Sequence, residues 1–272
     1  VQTAMMRAAG IIWRNQALKP APKPTKFIFG RKSLCDPDSM DYGHSYGVKG
    51  LDMLPTVYQY GVRIEIDPTR EDDEVIGPVV SIRDRKTHNP YTPTQEITFD
   101  WKKGYLVYDA PAAAAFTGFL PNAGGTYKFS NGVTLAGIDI NNPPGIYEPI
   151  TNKEGYIAFA LYSEDGKSLA TCRKAAVSLV STSFNKGFAL AKQDFGDCPD
   201  HPLAKTAGKR RKRGGTPVNV ARVAGTVTCR AIDGMSFTAY DWNMQPIDKG
   251  TVRQGVLRIP NDKPVFLIRL RR

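Results

Sequence analysis

The amino-acid sequence predicts an all-β protein, built as one or two antiparallel β-sandwiches with a short helix at the N-terminus. The first observation is the period-two alternation of apolar and polar residues, as at residues 61–67 (GVRIEID), which is typical of a strand with one face in solvent. The second observation is the frequency of turn-forming residues, because 25 glycines and 20 prolines divide the 272 residues into many short segments. Short strands separated by turn residues are typical of sandwich architecture.

The predicted helix covers residues 2–14, where Met5, Ala9, Ile12 and Trp13 are spaced to form one apolar face. Prolines alternate through residues 19–24 (KPAPKP). Because proline ends a helix and extends the chain around it, residues 1–25 are expected to form a helix followed by an extended linker.

Strand-like segments fill the rest of the chain. They lie at residues 26–29, 61–67, 79–83, 97–101, 105–109, 126–129, 133–138, 155–162, 168–172, 176–182, 217–220, 225–231, 236–240, 255–259 and 264–269. The turn sequence SEDG at residues 163–166 predicts that the strand before it pairs with residues 168–172 as a hairpin. We expect a larger β-sandwich region at residues 26–204, a basic loop at 205–216 and a small C-terminal β-sandwich part at 217–272.

Four consecutive alanines follow one of these strands, at residues 112–115 within YLVYDAPAAAAFTGFL. Alanine is the best helix former, so a short helix at residues 112–116 is one interpretation. The β-like residues on both sides favour the other, a strand or loop whose small side chains let it lie close against another surface.

The chain carries a formal net charge of +11, and five of its cations are consecutive, namely Lys209, Arg210, Arg211, Lys212 and Arg213. Such a run forms either a solvated loop or a patch that binds a polyanion, such as a sulfated or uronate glycan, nucleic acid or an acidic membrane surface. The basic residues near the C-terminus, at 269–272, form either a frayed tail or part of such a patch. No apolar run approaches the roughly 20 residues that span a bilayer, so no membrane span is predicted.

The most polar stretch is residues 33–47 (SLCDPDSMDYGHSYG). Its carboxylates Asp36, Asp38 and Asp41 are suited to holding a structural Ca²⁺ ion, the one cofactor that the sequence suggests, although the spacing of an EF-hand loop is absent. Asp36 and Asp38, together with His44, Tyr46 and Trp242, are predicted substrate-binding residues, because planar rings stack on sugars. Aspartate and serine equally favour ordinary turns, and that alternative stays open.

The sequence contains no nucleophile elbow, phosphate loop, dinucleotide fingerprint or HExxH zinc motif. A glycosidase needs two carboxylates about 5–10 Å apart, and spacing alone does not pair Glu65, Asp67, Asp100 or Asp109. We therefore assign no catalytic residue.

The four cysteines lack the spacing of a zinc or redox site. Two disulfides and buried free thiols are therefore both open.

Several segments resemble one protein family. Residues 97–120 (ITFDWKKGYLVYDAPAAAAFTGFL) resemble a stretch in the C-terminal β-region of large bacterial glycoside-hydrolase-like proteins, which carry a TIM-barrel catalytic domain related to the agarase and cellulase clan. Residues 8–22 (AAGIIWRNQALKPAP) are similar to that family's exit from the barrel. Residues 215–230 (GTPVNVARVAGTVTCR) and 237–250 (FTAYDWNMQPIDKG) are similar to its closing small sandwich, in which a turn lies at residues 248–250. Residues 109–111 read Asp-Ala-Pro where Thr-Pro is common in the family.

The resemblance implies an accessory or structural part of a polysaccharide-degrading protein, with the catalytic carboxylates in an upstream TIM-barrel portion or chain. The sequence begins at Val1 rather than at a methionine, as expected for a piece of a longer polypeptide. Polysaccharide is the expected partner, and the basic charge favours an anionic one, with nucleic acid disfavoured. The expected location is secreted, periplasmic or at the cell surface.

Two other interpretations stay open. The chain is alternatively a free-standing β-sandwich binding or assembly protein, of the surface-layer or capsid kind, whose basic loop binds a polyanion or neighbouring subunits in a homo-oligomer. The remaining alternative is a polysaccharide lyase or hydrolase with its own active site in residues 35–47.

Overall fold

The computed structural model describes residues 2–35, 56–57, 60–79, 94–100, 105–119, 125–141, 156–181, 183–189, 191–195, 205 and 207–272. The chain divides into two compact units. The larger unit comprises Val1–Ala17 and Lys103–Arg272, and the smaller unit comprises Leu18–Lys102. The chain therefore leaves the larger unit after its first helix and returns to it for the remaining strands.

Strands dominate the secondary structure. The helices whose full bounds the structure describes are α1 (Gln2–Arg14) and α2 (Arg31–Cys35), with short 3-10 helices at Lys192–Phe195 and Arg230–Ile232. The strands are β1 (Thr25–Phe29), β2 (Val62–Ile66), β3 (Glu74–Ile76), β4 (Ile97–Asp100), β5 (Tyr105–Ala110), β6 (Ala113–Phe119), β7 (Tyr127–Lys128), β8 (Thr134–Asn141), β9 (Tyr156–Ser163), β10 (Lys174–Val180), β11 (Ser183–Lys186), β12 (Gly215–Val220), β13 (Arg222–Thr228), β14 (Ser236–Tyr240), β15 (Pro246–Thr251), β16 (Val256–Ile259) and β17 (Leu267–Arg271). The predicted all-β class with a short N-terminal helix is confirmed.

Two antiparallel sheets build the larger unit. Seven of its strands lie in the order β15-β14-β17-β10-β9-β6-β5, which we call the large sheet. Four others lie in the order β16-β13-β8-β7, which we call the small sheet. Strands that precede the basic run and strands that follow it share both sheets, because β17 pairs with β10 and β13 pairs with β8.

The hydrophobic core lies between these sheets. Phe116, Phe159 and Leu270 from the large sheet and Leu135 and Val227 from the small sheet are fully buried in one continuous cluster. Successive side chains of a strand point to opposite faces. The alternate residues of the large sheet therefore form a second face directed away from the small sheet, which we call the outer face.

Helix α1 contacts β9 and β10 of the large sheet. It does so through Met5, Ala8 and Ile12, of which Ala8 is 1% and Ile12 7% exposed. The predicted apolar face is corrected, because Ala9 is exposed and Trp13 is 85% exposed. The spacing of Met5, Ala8 and Ile12 is the three-and-four repeat that keeps residues on one side of a helix. Ala9 lies at the edge of this side and Trp13 beyond it, so both are exposed.

The alanine run forms strand β6, and the alternative of a helix at residues 112–116 is wrong. β6 pairs with β5 on one side and with β9 on the other. Ala114 belongs to the sandwich core, while Ala113 and Ala115 are buried on the outer face. Pairing on both edges satisfies the backbone hydrogen bonds of β6. Tertiary context therefore outweighs the helix propensity of alanine.

Two predicted hairpins have different boundaries in the structure. Residues 168–172 form a turn, and the strand that pairs with β9 is β10. The Asp165 carboxylate holds this longer loop by accepting a hydrogen bond from the Arg173 backbone N–H at 2.8 Å.

Residues 248–250 lie inside β15 rather than in a turn. The turn between β14 and β15 is instead organised by Asp241, which accepts the backbone N–H groups of Asn243 and Gln245.

The cysteines that the structure describes are free thiols. Cys172 and Cys229 are buried in the sandwich core and Cys35 is exposed. Burial, with a smaller contribution from the nearby Asp165 charge, raises the pKa of the Cys172 thiol. For Cys172 and Cys229 the buried-thiol interpretation is therefore the correct one.

In the smaller unit, β1 is the central strand, parallel to β2 and antiparallel to β3. The predicted strand at residues 61–67 exists as β2, but its isoleucines do not form a buried face, since Ile64 is 54% and Ile66 65% exposed. Glu65, expected in solvent, is half-buried and lies 3.1 Å from both Lys26 Nζ and Arg63 Nε.

The acidic residues 71–73 are bound to the start of α2. Glu71 pairs with Arg31 and Asp72 with Lys32, each at 2.8 Å, and the Gly30 backbone N–H donates to Asp73 at 2.8 Å. Because the side chains of these pairs are exposed, solvent screens them and each contributes little to stability. Together these contacts hold the segment before β3 against the start of α2.

Gly255→Ala is expected to lower the free energy of unfolding by about 2 kcal/mol. Gly255 has a φ of +68°, and an added Cβ would lie 2.7 Å from the carbonyl oxygen of Cys229. That oxygen belongs to the backbone of the neighbouring segment and has no side-chain freedom to move away. Denaturant unfolding of the two proteins measures the difference.

Gly234→Ala is the matched control. Gly234 has a φ of +72°, but no atom lies within 4 Å of the place that an added Cβ would take. This change should therefore lower the free energy of unfolding only by the cost of placing alanine in the left-handed backbone conformation, about 1 kcal/mol. Equal losses for both variants would show that the close approach to Cys229 contributes nothing.

Candidate functional site

The polar stretch predicted as a sugar or calcium site falls outside the described residues. Asp36, Asp38, Asp41, His44 and Tyr46 all belong to residues 36–55, so these predictions stay predictions. Within the described ranges, no group of three or more histidine, cysteine, aspartate or glutamate side chains is arranged to hold a metal ion.

Three carboxylates considered for glycosidase chemistry stabilise local structure. Glu65 pairs with Lys26 and Arg63. Asp67 accepts the Thr69 backbone N–H at 3.0 Å, and hydrogen bonds from Thr69 are the main cause of its lowered pKa. Asp109 accepts the backbone N–H of Ser130 at 2.6 Å and its hydroxyl at 2.9 Å. Each carboxylate is thus occupied by a partner that holds a turn or a strand.

The basic run at residues 209–213 lies just before β12, which pairs with β11 in a two-stranded antiparallel ribbon. Ala189 and Lys212 exchange two backbone hydrogen bonds, at 3.0 and 2.9 Å. The Asn185 side-chain amide donates to the Arg213 carbonyl at 3.1 Å. The backbone of the run is therefore tied to residues 185–189.

The five side chains of the run, at residues 209–213, are all exposed, and we call the surface that they form the basic ribbon. Among the residues that the structure describes, no carboxylate lies within 4 Å of Lys209, Arg210, Lys212 or Arg213. Clustered like charges that lack nearby counter-charges create a positive potential, which attracts polyanions and weakens with salt.

Trp242, a predicted substrate-binding residue, lies in the turn between β14 and β15. The residue is 38% exposed, and its ring packs on that of Phe266, with ring centroids 4.4 Å apart and planes tilted by 38°. Because Asp241 fixes the surrounding turn through hydrogen bonds from Asn243 and Gln245, the ring is held in place. An exposed, supported indole is the kind of group on which a sugar ring stacks.

A second cationic cluster lies on the outer face, where two of the basic residues near the C-terminus meet an arginine of α1. Arg7 from α1 donates to the Tyr162 hydroxyl at 2.6 Å and also to Glu164. Arg271 from β17 donates to the other oxygen of Glu164 at 2.6 Å. Arg269, two residues earlier on the same strand, has its Nε 3.9 Å from Glu164. We call this group of three arginines around one carboxylate the arginine cluster.

Glu164 is the electrostatic centre of the arginine cluster, and its side chain is only 9% exposed. Burial by itself would raise its pKa, but the hydrogen bonds and charges of Arg7 and Arg271 outweigh burial, so the pKa is lowered. The carboxylate therefore stays ionised at neutral pH. Three guanidinium groups and one carboxylate leave the cluster with an excess of two positive charges.

One sequence signal points to this cluster. Residues 267–271 read LIRLR, and the arginines alternate with apolar residues as in a strand with one buried face. The position of the segment at the end of the chain favours a frayed tail instead, and that interpretation is wrong. In the structure the segment is an internal strand, paired with β10 and β14.

Comparisons with known proteins add no assignment. No protein-family model, no curated protein and no solved structure matches the chain. Within the described residues, none of the helices is both long enough and apolar enough to cross a membrane.

Proposed function

We propose that this chain is the C-terminal accessory β-sandwich part of a polysaccharide-degrading protein of the glycoside-hydrolase type, and that it contacts anionic glycan. The proposal includes a secreted, periplasmic or cell-surface location and catalytic carboxylates in an upstream TIM-barrel portion or chain. The observation that carries it is the basic ribbon, in which Lys209, Arg210, Lys212 and Arg213 are exposed and have no carboxylate within 4 Å among the described residues.

The chemistry of the ribbon suits a repeating polyanion better than a small ligand. The five side chains are solvent-exposed and long, so they bind through charge rather than through a shaped pocket. Regularly spaced sulfate or carboxylate groups on a glycan would each meet a cation. The supported ring of Trp242 provides a separate surface for stacking on sugar.

The solvent side of α1 supports the accessory role. Met6 is 71% and Trp13 85% exposed, and their spacing of seven residues places them on the same side of the helix. Large exposed apolar residues that lie together are typical of an interaction surface. In the proposed function this side of α1 contacts the upstream barrel. In the alternative, a free-standing binding or assembly protein, it contacts a neighbouring subunit.

The test is binding of the chain to a sulfated glycan and to polygalacturonate, with neutral dextran as the reference polymer. Binding to the acidic polymers is expected and should weaken at least tenfold as salt shortens the Debye length from about 30 Å at 0.01 M to about 8 Å at 0.15 M. Replacing Lys209, Arg210 and Lys212 together by glutamine should weaken it at least tenfold at low salt. Isothermal titration or affinity electrophoresis measures both effects.

A triple variant with the same change of net charge provides the control. Lys128, Lys167 and Arg258 are exposed and lie outside the ribbon, so replacing them by glutamine should change binding less than twofold. Equal losses for the two triple variants would show that net charge alone, and not the ribbon, attracts the polymer. Sedimentation of the intact chain as a stable oligomer, without glycan binding, would favour the assembly alternative.

A further inference from the structure

Arg269 differs from its two neighbours in the arginine cluster. Arg7 donates to Tyr162 and Glu164, and Arg271 donates to Glu164 and to the Leu270 carbonyl. Arg269 Nε is buried and has no hydrogen-bond partner among the described residues, and its nearest carboxylate oxygen is 3.9 Å away. A buried N–H of a charged group is costly to leave unsatisfied. Because this Nε–H is enclosed, the unused binding capacity of Arg269 lies in its terminal nitrogens, which make no hydrogen bond to the described residues.

The guanidinium of Arg269 is held in place while part of it remains accessible. It lies over the ring of Tyr240, 5.8 Å from the ring centroid, and its side chain is 36% exposed. A guanidinium within about 6 Å of an aromatic ring face is attracted to it without consuming its hydrogen-bond donors. A planar fork held in this way matches the two oxygens of a carboxylate.

The strand register places further polar groups around Arg269. Thr238 on β14 is its direct neighbour, and Lys249 on β15 is the neighbour of Thr238. Lys174 on β10 lies opposite Arg271. All three share the outer face with the arginines, because residues directly opposite in a sheet point to the same side. Among the described residues, neither lysine has a carboxylate within 4 Å.

Glu164 shows that this face accommodates a carboxylate between two arginines. Glu164 neutralises only one of the three guanidinium charges. The cluster would therefore still be positively charged after a second carboxylate binds. We propose that Arg269, with Arg271 and Lys249 on the same face of the sheet, forms a binding site for one carboxylate of a ligand, of the class that uronate sugars carry. This inference rests on the proposed function for the nature of the ligand, but its site is separate from the basic ribbon.

The experiment observes the Arg269 Nε–H resonance by nitrogen-15 NMR of the intact chain, identified by its absence in Arg269→Gln. Glucuronate is titrated at constant ionic strength, with glucose as the neutral reference and inorganic sulfate as the other oxyanion. We expect glucuronate to shift the resonance in a saturable way and glucose to leave it unchanged. A response to sulfate equal to that to glucuronate would overturn the assignment to carboxylates.

Two variants of Arg269 distinguish the contribution of the planar guanidinium geometry from that of its positive charge. Arg269→Gln should weaken glucuronate binding at least fivefold, and Arg269→Lys, which keeps the charge but loses the two-point fork, at least threefold. Arg258→Gln, an exposed arginine on the small sheet, should bind as the unmodified chain does. Wild-type affinity in a folded Arg269→Gln or Arg269→Lys protein would overturn the proposal.

The outcomes also distinguish this site from the proposed function. If the chain binds acidic polymer through the ribbon but shows no saturable glucuronate shift, the site is refuted and the proposed function stands. If glucuronate shifts the resonance while no acidic polymer binds, the proposed function is refuted and the site stands.

Discussion

Phe159→Ala should lower the free energy of unfolding by about 4 kcal/mol, because it removes a fully buried aromatic ring from the centre of the sandwich. Phe159 lies opposite Phe116 on β6 and opposite Leu179 on β10, and its ring is 6.0 Å from that of Phe129. Phe116 and Leu179 belong to strands paired on both edges, so they cannot collapse into the space left behind. The loss is a large part of the roughly 5–15 kcal/mol by which a domain is stable.

Phe159→Leu is the control for the size of the cavity. Leucine keeps most of the apolar volume, so we expect a loss of about 1 kcal/mol. Denaturant titration with a probe for each sheet gives both values. A loss below about 1 kcal/mol for Phe159→Ala would contradict a core shared by the large and small sheets.

Glu164→Gln should lower the free energy of unfolding by about 3 kcal/mol at neutral pH, the low end of the range for breaking a buried ion pair. The change leaves Arg7, Arg269 and Arg271 facing one another without their counter-charge. The low end applies because the arginine side chains are 31–38% exposed and partly solvated. The loss also weakens the attachment of α1, which Arg7 ties to the sheet.

The same residue makes a prediction about pH. The pKa of Glu164 is lower in the folded protein than its ordinary value of about 4.3. Its stabilising contribution is therefore complete above that ordinary value and is lost as pH falls through the lower, folded value. Unfolding measured between pH 7 and pH 2 should show a smaller acid-induced loss of stability in Glu164→Gln than in the unmodified chain.

Glu71→Gln provides the control for surface electrostatics. Glu71 pairs with Arg31, but both side chains are at least half exposed, so the change should cost less than about 1 kcal/mol. If Glu71→Gln and Glu164→Gln cost the same at pH 7, the arginine cluster would be no more stabilising than an ordinary surface pair.

Much of the strand content could be predicted from local patterns. Alternation and turn residues place β1, β5, β9 and β14 within a residue or two of their observed bounds. The basic ribbon is also visible in the sequence, since five adjacent cations cannot avoid forming a positive surface. These features depend on neighbours along the chain, and a single sequence contains that information.

The sequence-based predictions that were wrong share a physical reason. Alanine at residues 112–115 has high helix propensity, and only pairing with β5 and β9 makes it a strand. The isoleucines of β2 alternate as a buried face would, yet Ile64 and Ile66 are exposed. Local pattern reports which side chains share a face, whereas burial depends on what the rest of the chain packs against that face.

Periodicity, turn chemistry and charge within a few residues are enough to establish the all-β class, the N-terminal helix, most strands and the basic run. The fold is needed to establish that the strand at residues 267–271 is internal and that Arg7, 155 positions from Tyr162 in the chain, lies beside that tyrosine and Glu164. Contacts of such long range depend on strand order and on helix docking, which no short segment encodes by itself. The arginine cluster can therefore be recognised only once the fold is known.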